Sequence, residues 1–245
     1  MKILFLLALC IACGGGDSRP EKIEKLRAIG VATSPIIQTP STPDSPKTAT
    51  ITFYAAAPFG KNFEVRPFEV NAINPLTPGI TIKAGSIKYQ DFSQFRIFSV
   101  QASAVVPQES ASLSALLAER GSTTYRFGIK LKNGEEEEKI VADLIVAAKD
   151  QAPTDIKTTK ITILTPIDKS QISTETLQLR ANIEDTNEGE TYKIAWFVSS
   201  GQVKNRRAIE TELKEAQAGP VTILVTVRGS KSGTFAYSAV DVTAM

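Results

Sequence analysis

The chain has 245 residues, 42% hydrophobic and 22% charged, a composition that supports one or two packed cores and excludes a disordered polymer. Its formal net charge is only +2, so there is no electrostatic case for nucleic acid or an anionic membrane surface as partner. Histidine is absent and the two cysteines, Cys10 and Cys13, both lie near the N-terminus, which excludes histidine-based triads, a disulfide-stapled body and the common zinc sites.

Lys2 precedes an apolar run at residues 3–12. Ten residues are too few to cross a bilayer as a helix, but they suit the core of a secretory leader. Ala12-Cys13-Gly14 follows, a small residue, a cysteine and a glycine. This stretch resembles the lipobox of bacterial lipoproteins, in which the leader is cut before a diacylated cysteine whose new amine is then acylated. The resemblance implies a signal peptide at 1–12, a palmitate-type lipid on Cys13, and a short tether at 13–21. Cys10 stands where the family prefers leucine, so 7–10 competes for the role, although Leu9 is a poor small residue. A cleaved secretory leader without lipid is the plain alternative. Gly14 is not the aspartate that signals inner-membrane retention in enteric bacteria. The implied address is therefore the bacterial envelope at the outer membrane, with its periplasmic or surface face left open. No later segment is long and apolar enough for a spanning helix, so the lipid would be the anchor.

Residues 25–33 read as the first strand, because Ile29 and Val31 alternate with small residues and Pro35 blocks a helix. Three prolines in 39–46 predict an exposed loop between strands. From Thr48 the period is two: Ile51, Phe53 and Ala55, then Phe68, Val70 and Ala72, then Phe98, Val100, Ala102 and Ala104. Such alternation marks antiparallel sheets with one face on a core and one in water. Pro75, Pro78 and Gly79 punctuate between strands. Residues 110–120 predict a short helix plugging one end of a sandwich, with Leu113, Leu116 and Leu117 on its buried face, Ser110 or Ser112 as cap and Gly121 as stop. A hairpin follows, with Tyr125, Phe127, Ile129 and Leu131 inward on one strand, Asn133-Gly134 at the turn, and Ile140, Ala142, Leu144 and Val146 on the return. Glu135 to Glu138 reads as its solvated tip. Residues 149–157 are polar and contain Pro153, which places a boundary between domains at 22–150 and 151–245. That polarity also predicts few apolar contacts across the boundary.

The second domain reads as a β-sandwich. Ile161 and Ile163 open it and Pro166 ends that strand. Leu177, Leu179, Ala181 and Ile183 form one inward row, and Tyr192, Ile194, Trp196 and Val198 the next. A weaker strand is expected at 207–213. Val221, Ile223, Val225 and Val227 lead to the last strand at 234–243. Trp196 with Gly201, and the stretch from Gly219 to Gly229, resemble the immunoglobulin-like and PKD-like domains of bacterial surface proteins, although the WDFGDG-type signature of true PKD domains is absent. The resemblance implies that Trp196 is structural core, packed between sheets. The expected fold class is thus all-β: two tandem antiparallel, immunoglobulin-like sandwiches, with one short helix in the first.

Nothing in the sequence points to an enzyme. There is no glycine-flanked serine elbow and no phosphate-binding glycine loop. Asp185, Asn187, Glu188 and Glu190 crowd one strand connection, the arrangement in which calcium would find oxygen ligands, yet the spacing breaks the EF-hand pattern. The basic cluster 204–207 reads as a solvated loop. The functional expectation is a non-catalytic, lipid-anchored envelope protein that binds a protein or polysaccharide partner or serves a structural or adhesive role. The alternatives are an accessory subunit of a secretion or surface-fibre complex and, more remotely, a hydrolase whose site the sequence does not reveal.

Overall fold

The computed structural model describes residues 22–34, 37–59, 64–68, 82–133, 136–149, 156–230 and 232–245. Cys10, Cys13 and the tether lie outside the described residues. So do Val70, Ala72, Pro75, Pro78, Gly79, Gly134, Glu135 and Pro153, and the side chains of Phe68 and Phe127. The first sandwich comprises β1 (Arg27–Ser34), β2 (Ile37–Gln38), β3 (Thr48–Pro58), β4 (Glu64–Phe68), β5 (Ile82–Asp91), β6 (Phe95–Val105), α1 (Ala111–Arg120), β7 (Ser122–Asn133) and β8 (Glu136–Ala147). The second comprises β9 (Lys160–Thr165), β10 (Gln171–Ile172), β11 (Thr176–Glu184), β12 (Tyr192–Val198), β13 (Gln202–Val203), β14 (Glu210–Lys214), β15 (Gly219–Gly229) and β16 (Phe235–Ala244).

The two sandwiches share one topology, strand for strand. The first has sheets β1-β3-β6-β5 and β2-β8-β7-β4; the second has β9-β11-β14-β13 and β10-β16-β15-β12. In each, the opening strand lies in one sheet, and a two-residue continuation crosses to pair with the closing strand of the other. Those short pairs, β2 with β8 and β10 with β16, are parallel, and every other named pair is antiparallel.

Period-two patterning builds the inner cores. Ile51, Phe53, Phe98, Val100, Ile129, Leu131, Ile140 and Leu144 fill the space between the sheets of the first sandwich. The helix closes one end: Ser110 accepts from the Leu113 N–H at 3.2 Å, Gly121 N–H donates to Leu117 at 2.8 Å, and Leu113 and Leu117 are buried. Leu179, Ala181, Trp196, Val221, Ile223 and Val225 form the corresponding core of the second sandwich.

A third core joins the two sandwiches, and it corrects the expectation drawn from the polar link. Ile29, Ala56, Phe95 and Ile97 of the first sandwich bury themselves with Phe197 and Leu224 of the second, and Tyr54, Phe92, Ala195, Tyr237 and Ala239 pack around them. The outer face of β1-β3-β6 thus lies on the outer face of β12-β15-β16, and the molecule is four sheets deep with three apolar layers. A covalent link's composition says nothing about faces that meet elsewhere. Two smaller corrections follow from the same packing. β1 starts at Arg27 because the residues before it bridge instead to the second sandwich, Lys22 to Val198. The strand expected at 207–213 starts at Glu210, since 204–207 turn over the edge of β12.

Candidate functional site

The seam between sandwiches is the most constructed surface of the molecule. Full burial of a Phe, Leu or Ile side chain is worth about 1.5–3 kcal/mol and a net hydrogen bond about 1. The six large apolar groups from Ile23 to Leu224 therefore hold the seam, and the polar contacts set its register. Those contacts centre on Asp241 of β16, which accepts from the Ser93 N–H at 3.0 Å and the Ser93 hydroxyl at 2.8 Å. Thr222, fully buried, donates its hydroxyl to the same carboxylate and accepts from the Gln94 N–H at 3.2 Å. Tyr237 donates to Gln90 at 2.6 Å. A strap completes the joint: Ile23 N–H donates to the Val198 carbonyl at 3.2 Å, and its side chain is buried in the seam.

Close approach decides which residues the seam accepts. Phe235 lies against β1 at Gly30, where a Cβ would stand 1.9 Å from its ring. The Phe235 ring also stacks at 4.9 Å from Tyr54, which meets Tyr237 edge-on at 5.6 Å. Burial holds both phenols above their ordinary value; for Tyr54 a hydrogen bond with Thr52 opposes the rise, and for Tyr237 the neighbouring Tyr54 adds to it.

Three polar neighbourhoods border this frame. On one flank of the seam an open cleft of about 340 Å³ runs between β1 and β8 on one side and β12, β15 and β16 on the other. Its floor is apolar, with Ile29, Val31, Ala195 and Phe235, and its rim carries Lys139, Lys193 and Arg228. At the far end of the first sandwich a cleft of about 640 Å³ lies between the proline-rich loop and α1, lined by hydroxyls and by Lys47, Lys149 and Glu109. Ser41 anchors that loop, donating to the Val106 carbonyl at 2.9 Å and accepting from the Lys47 N–H at 3.0 Å, so the prolines sit in an ordered connection. Finally, Arg96 lies over the rings of Phe59 and Tyr89 at 5.5 and 5.0 Å and pairs with Asp91, whose carboxyl this hydrogen bond holds below its usual range.

The residues singled out as calcium ligands serve separate contacts. Asp185 pairs with Lys160 at 3.1 Å. Asn187 bridges the Lys157 backbone, accepting at 2.8 Å and donating at 3.1 Å. Glu190 accepts from the Ser232 N–H at 2.8 Å and the Ser230 hydroxyl at 3.1 Å, while Glu188 is exposed. Among the described residues, no three His, Cys, Asp or Glu side chains gather as a metal ion requires. Trp196 is fully buried in the second core, and its indole N–H donates to Ala208 at 2.8 Å. The 204–207 turn, read as a solvated loop, also supports this tryptophan. The Arg206 carbonyl accepts from the Trp196 backbone N–H at 2.9 Å, and Lys204 pairs with Glu212 at 3.4 Å.

Sequence reasoning missed the seam residues. The signal was in β15, where Val221 to Val227 are all buried and the run V-T-I-L-V-T-V is nearly continuous in apolar and β-branched residues, the mark of a strand covered on both faces.

No protein-family model matches the chain, and no curated protein sequence is similar to it. Among solved structures it is similar to the PKD domain of human KIAA0319, at 20% identity and a TM-score of 0.30, over 40% of this chain and 90% of that one. It is similar also to the fibronectin(III)-like modules of Clostridium thermocellum CbhA, at 12% identity and a TM-score of 0.32, over 89% and 93%. The ectodomain of mouse nectin-like molecule 4 matches at 9% identity and a TM-score of 0.23, over 91% of this chain and 65% of that one. The fold class stands on the strand order described above, that of two tandem immunoglobulin-like sandwiches, and function is argued from this chain's own residues.

Proposed function

We infer that the chain is a non-catalytic bacterial envelope lipoprotein, anchored through Cys13 at the outer membrane, whose two sandwiches, 22–150 and 151–245, act as one rigid body that holds a protein or polysaccharide partner. The observation that carries the reading is the seam. Two sandwiches on a polar link would ordinarily move independently, whereas an apolar layer with polar pins turns them into a single scaffold for edge strands and end loops. The leader supports the anchoring. Two or three acyl chains give stable membrane attachment where one gives only reversible binding. From Gly14 to Glu21 the tether can reach at most about 28 Å, so the anchor would hold the molecule close, by the seam end of β12.

Mass spectrometry of the mature N-terminus tests this reading, with a diacylated Cys13 as the expected result. An unmodified terminus, or a Cys13→Ser protein that is processed and retained in membranes normally, would remove the anchor from the account. Protease shaving of whole cells then assigns the face, and a crosslinked pull-down that recovers a fixed stoichiometric set of partners would favour the accessory-subunit alternative.

A further inference from the structure

Lys193 and Arg228 are direct cross-strand partners in the β12–β15 pair. Both are exposed, and both belong to the rows that face the first sandwich, continuing Phe197–Ala195 on one strand and Leu224–Thr226 on the other. Like charges placed directly opposite in an antiparallel pair are destabilising. Neither side chain has a hydrogen bond or ion pair with a carboxylate among the described residues. The carboxylates that precede Lys139 on β8 are engaged in other contacts: Glu138 accepts from the Ala28 N–H at 3.1 Å, and Glu137 pairs with Lys130 at 3.2 Å and more loosely with Lys139 at 3.9 Å. Both cations instead line the flank cleft, across from Lys139, above the apolar floor. A repulsive pair held over an apolar cleft is what an amphiphilic anion would relieve.

We propose that this cleft is a binding site for a small amphiphilic anion, one carboxylate or phosphate head on an apolar body. The head sits between Lys193 and Arg228, which supply charge-assisted hydrogen bonds, with the arginine able to take two oxygens at once. The body lies along Ile29, Val31 and Phe235, and the cleft volume admits on the order of ten heavy atoms at about 30 Å³ each. Because the walls come from both sandwiches, an occupant bridges the seam and stabilises it by mass action. This inference is independent of lipid anchoring, since it concerns only the folded body.

The test is calorimetric titration of the folded chain with octanoate and octyl phosphate, set against n-octanol and inorganic phosphate. The expected result is saturable one-site binding of the two amphiphiles, at least tenfold tighter than either octanol or phosphate. The double variant Lys193→Gln/Arg228→Gln should lose at least tenfold in octanoate affinity while its melting temperature is unchanged or raised, because a repulsion has been removed. An Ile167→Lys variant, at an exposed position outside the cleft, should fold as the parent does and keep octanoate binding. Octanol binding as well as octanoate, phosphate binding as well as octyl phosphate, no saturable binding, or a double variant with unchanged octanoate affinity would each overturn the proposal.

Discussion

Phe235 can lie flat against the backbone of β1 only because residue 30 is glycine. A valine there would drive its Cβ to 1.9 Å from the ring, and the ring is hemmed in by Tyr54, so relief must come from separating the sheets. Gly30→Val is expected to cost about 3 kcal/mol, the upper end of overpacking penalties, read as a lower urea midpoint at unchanged slope. Phe235→Ala in the same chain should make the combined cost less than the sum of the two, as contacting residues do. Trp196 is a different kind of residue, wholly inside one sandwich. Trp196→Ala should destabilise by about 3–5 kcal/mol through the lost volume, and it also leaves the Ala208 carbonyl without its donor. The native emission should be blue-shifted and resistant to acrylamide; a freely quenched tryptophan would contradict the packing.

At the scale of the element, legibility followed the number of faces each strand buries. β11 has one face on a core and one in water, so Leu177, Leu179 and Ala181 stood out against Thr176, Gln178 and Arg180. The helix announced itself through Ser110, its leucines and Gly121. β3 and β15 are covered on both sides, and there the alternation dissolves: Ala55, Ala56 and Ala57 are all buried, as are Ile223, Leu224 and Val225. Small residues that permit close approach, such as Gly30 and Ala195, carry no hydrophobic signal at all, which is why the seam and its flank cleft were not readable. Tyr54 on β3 and Tyr237 on β16 make this element pair sensitive to alkali. Burial raises both phenols, so the folded state favours their neutral forms. Their contribution is complete below the ordinary phenol value, about 10, and is lost as pH rises through the raised values. The melting temperature should therefore fall above about pH 10, and less so in Tyr54→Phe/Tyr237→Phe; an identical alkaline limb in that variant would rule the tyrosines out as its source.

The whole molecule is a pair of topological equals joined through unequal faces. The seam sets the β1-side sheet of the first sandwich against the β10-side sheet of the second, a head-to-tail contact of the kind that repeats without closing. The free outer sheets carry pairs such as Arg126–Asp143 at 2.7 Å and Arg180–Glu210 at 3.0 Å, which contribute little to stability but make a further apolar layer unfavourable. Because the seam is apolar, calorimetry should show one cooperative unfolding transition for both sandwiches. Leu224→Asp, which places a charge in the seam, should split it into two. Two transitions in the parent chain would mean that the layers do not share their stability.

The strap at Lys22 and Ile23 also defines how the molecule bears a mechanical load. Tension entering ahead of Lys22 meets a single backbone hydrogen bond to Val198 and two buried side chains, Ile23 in the seam and Leu26 in the first core, before it reaches β1, whose ladder to β3 runs from Arg27 to Ser34. The bridge acts as a fuse. It yields first, lengthens the N-terminal lead by a few residues, and leaves the β1–β3 ladder to resist in series, so a tug absorbed at the waist of the protein is spent before either sandwich begins to open.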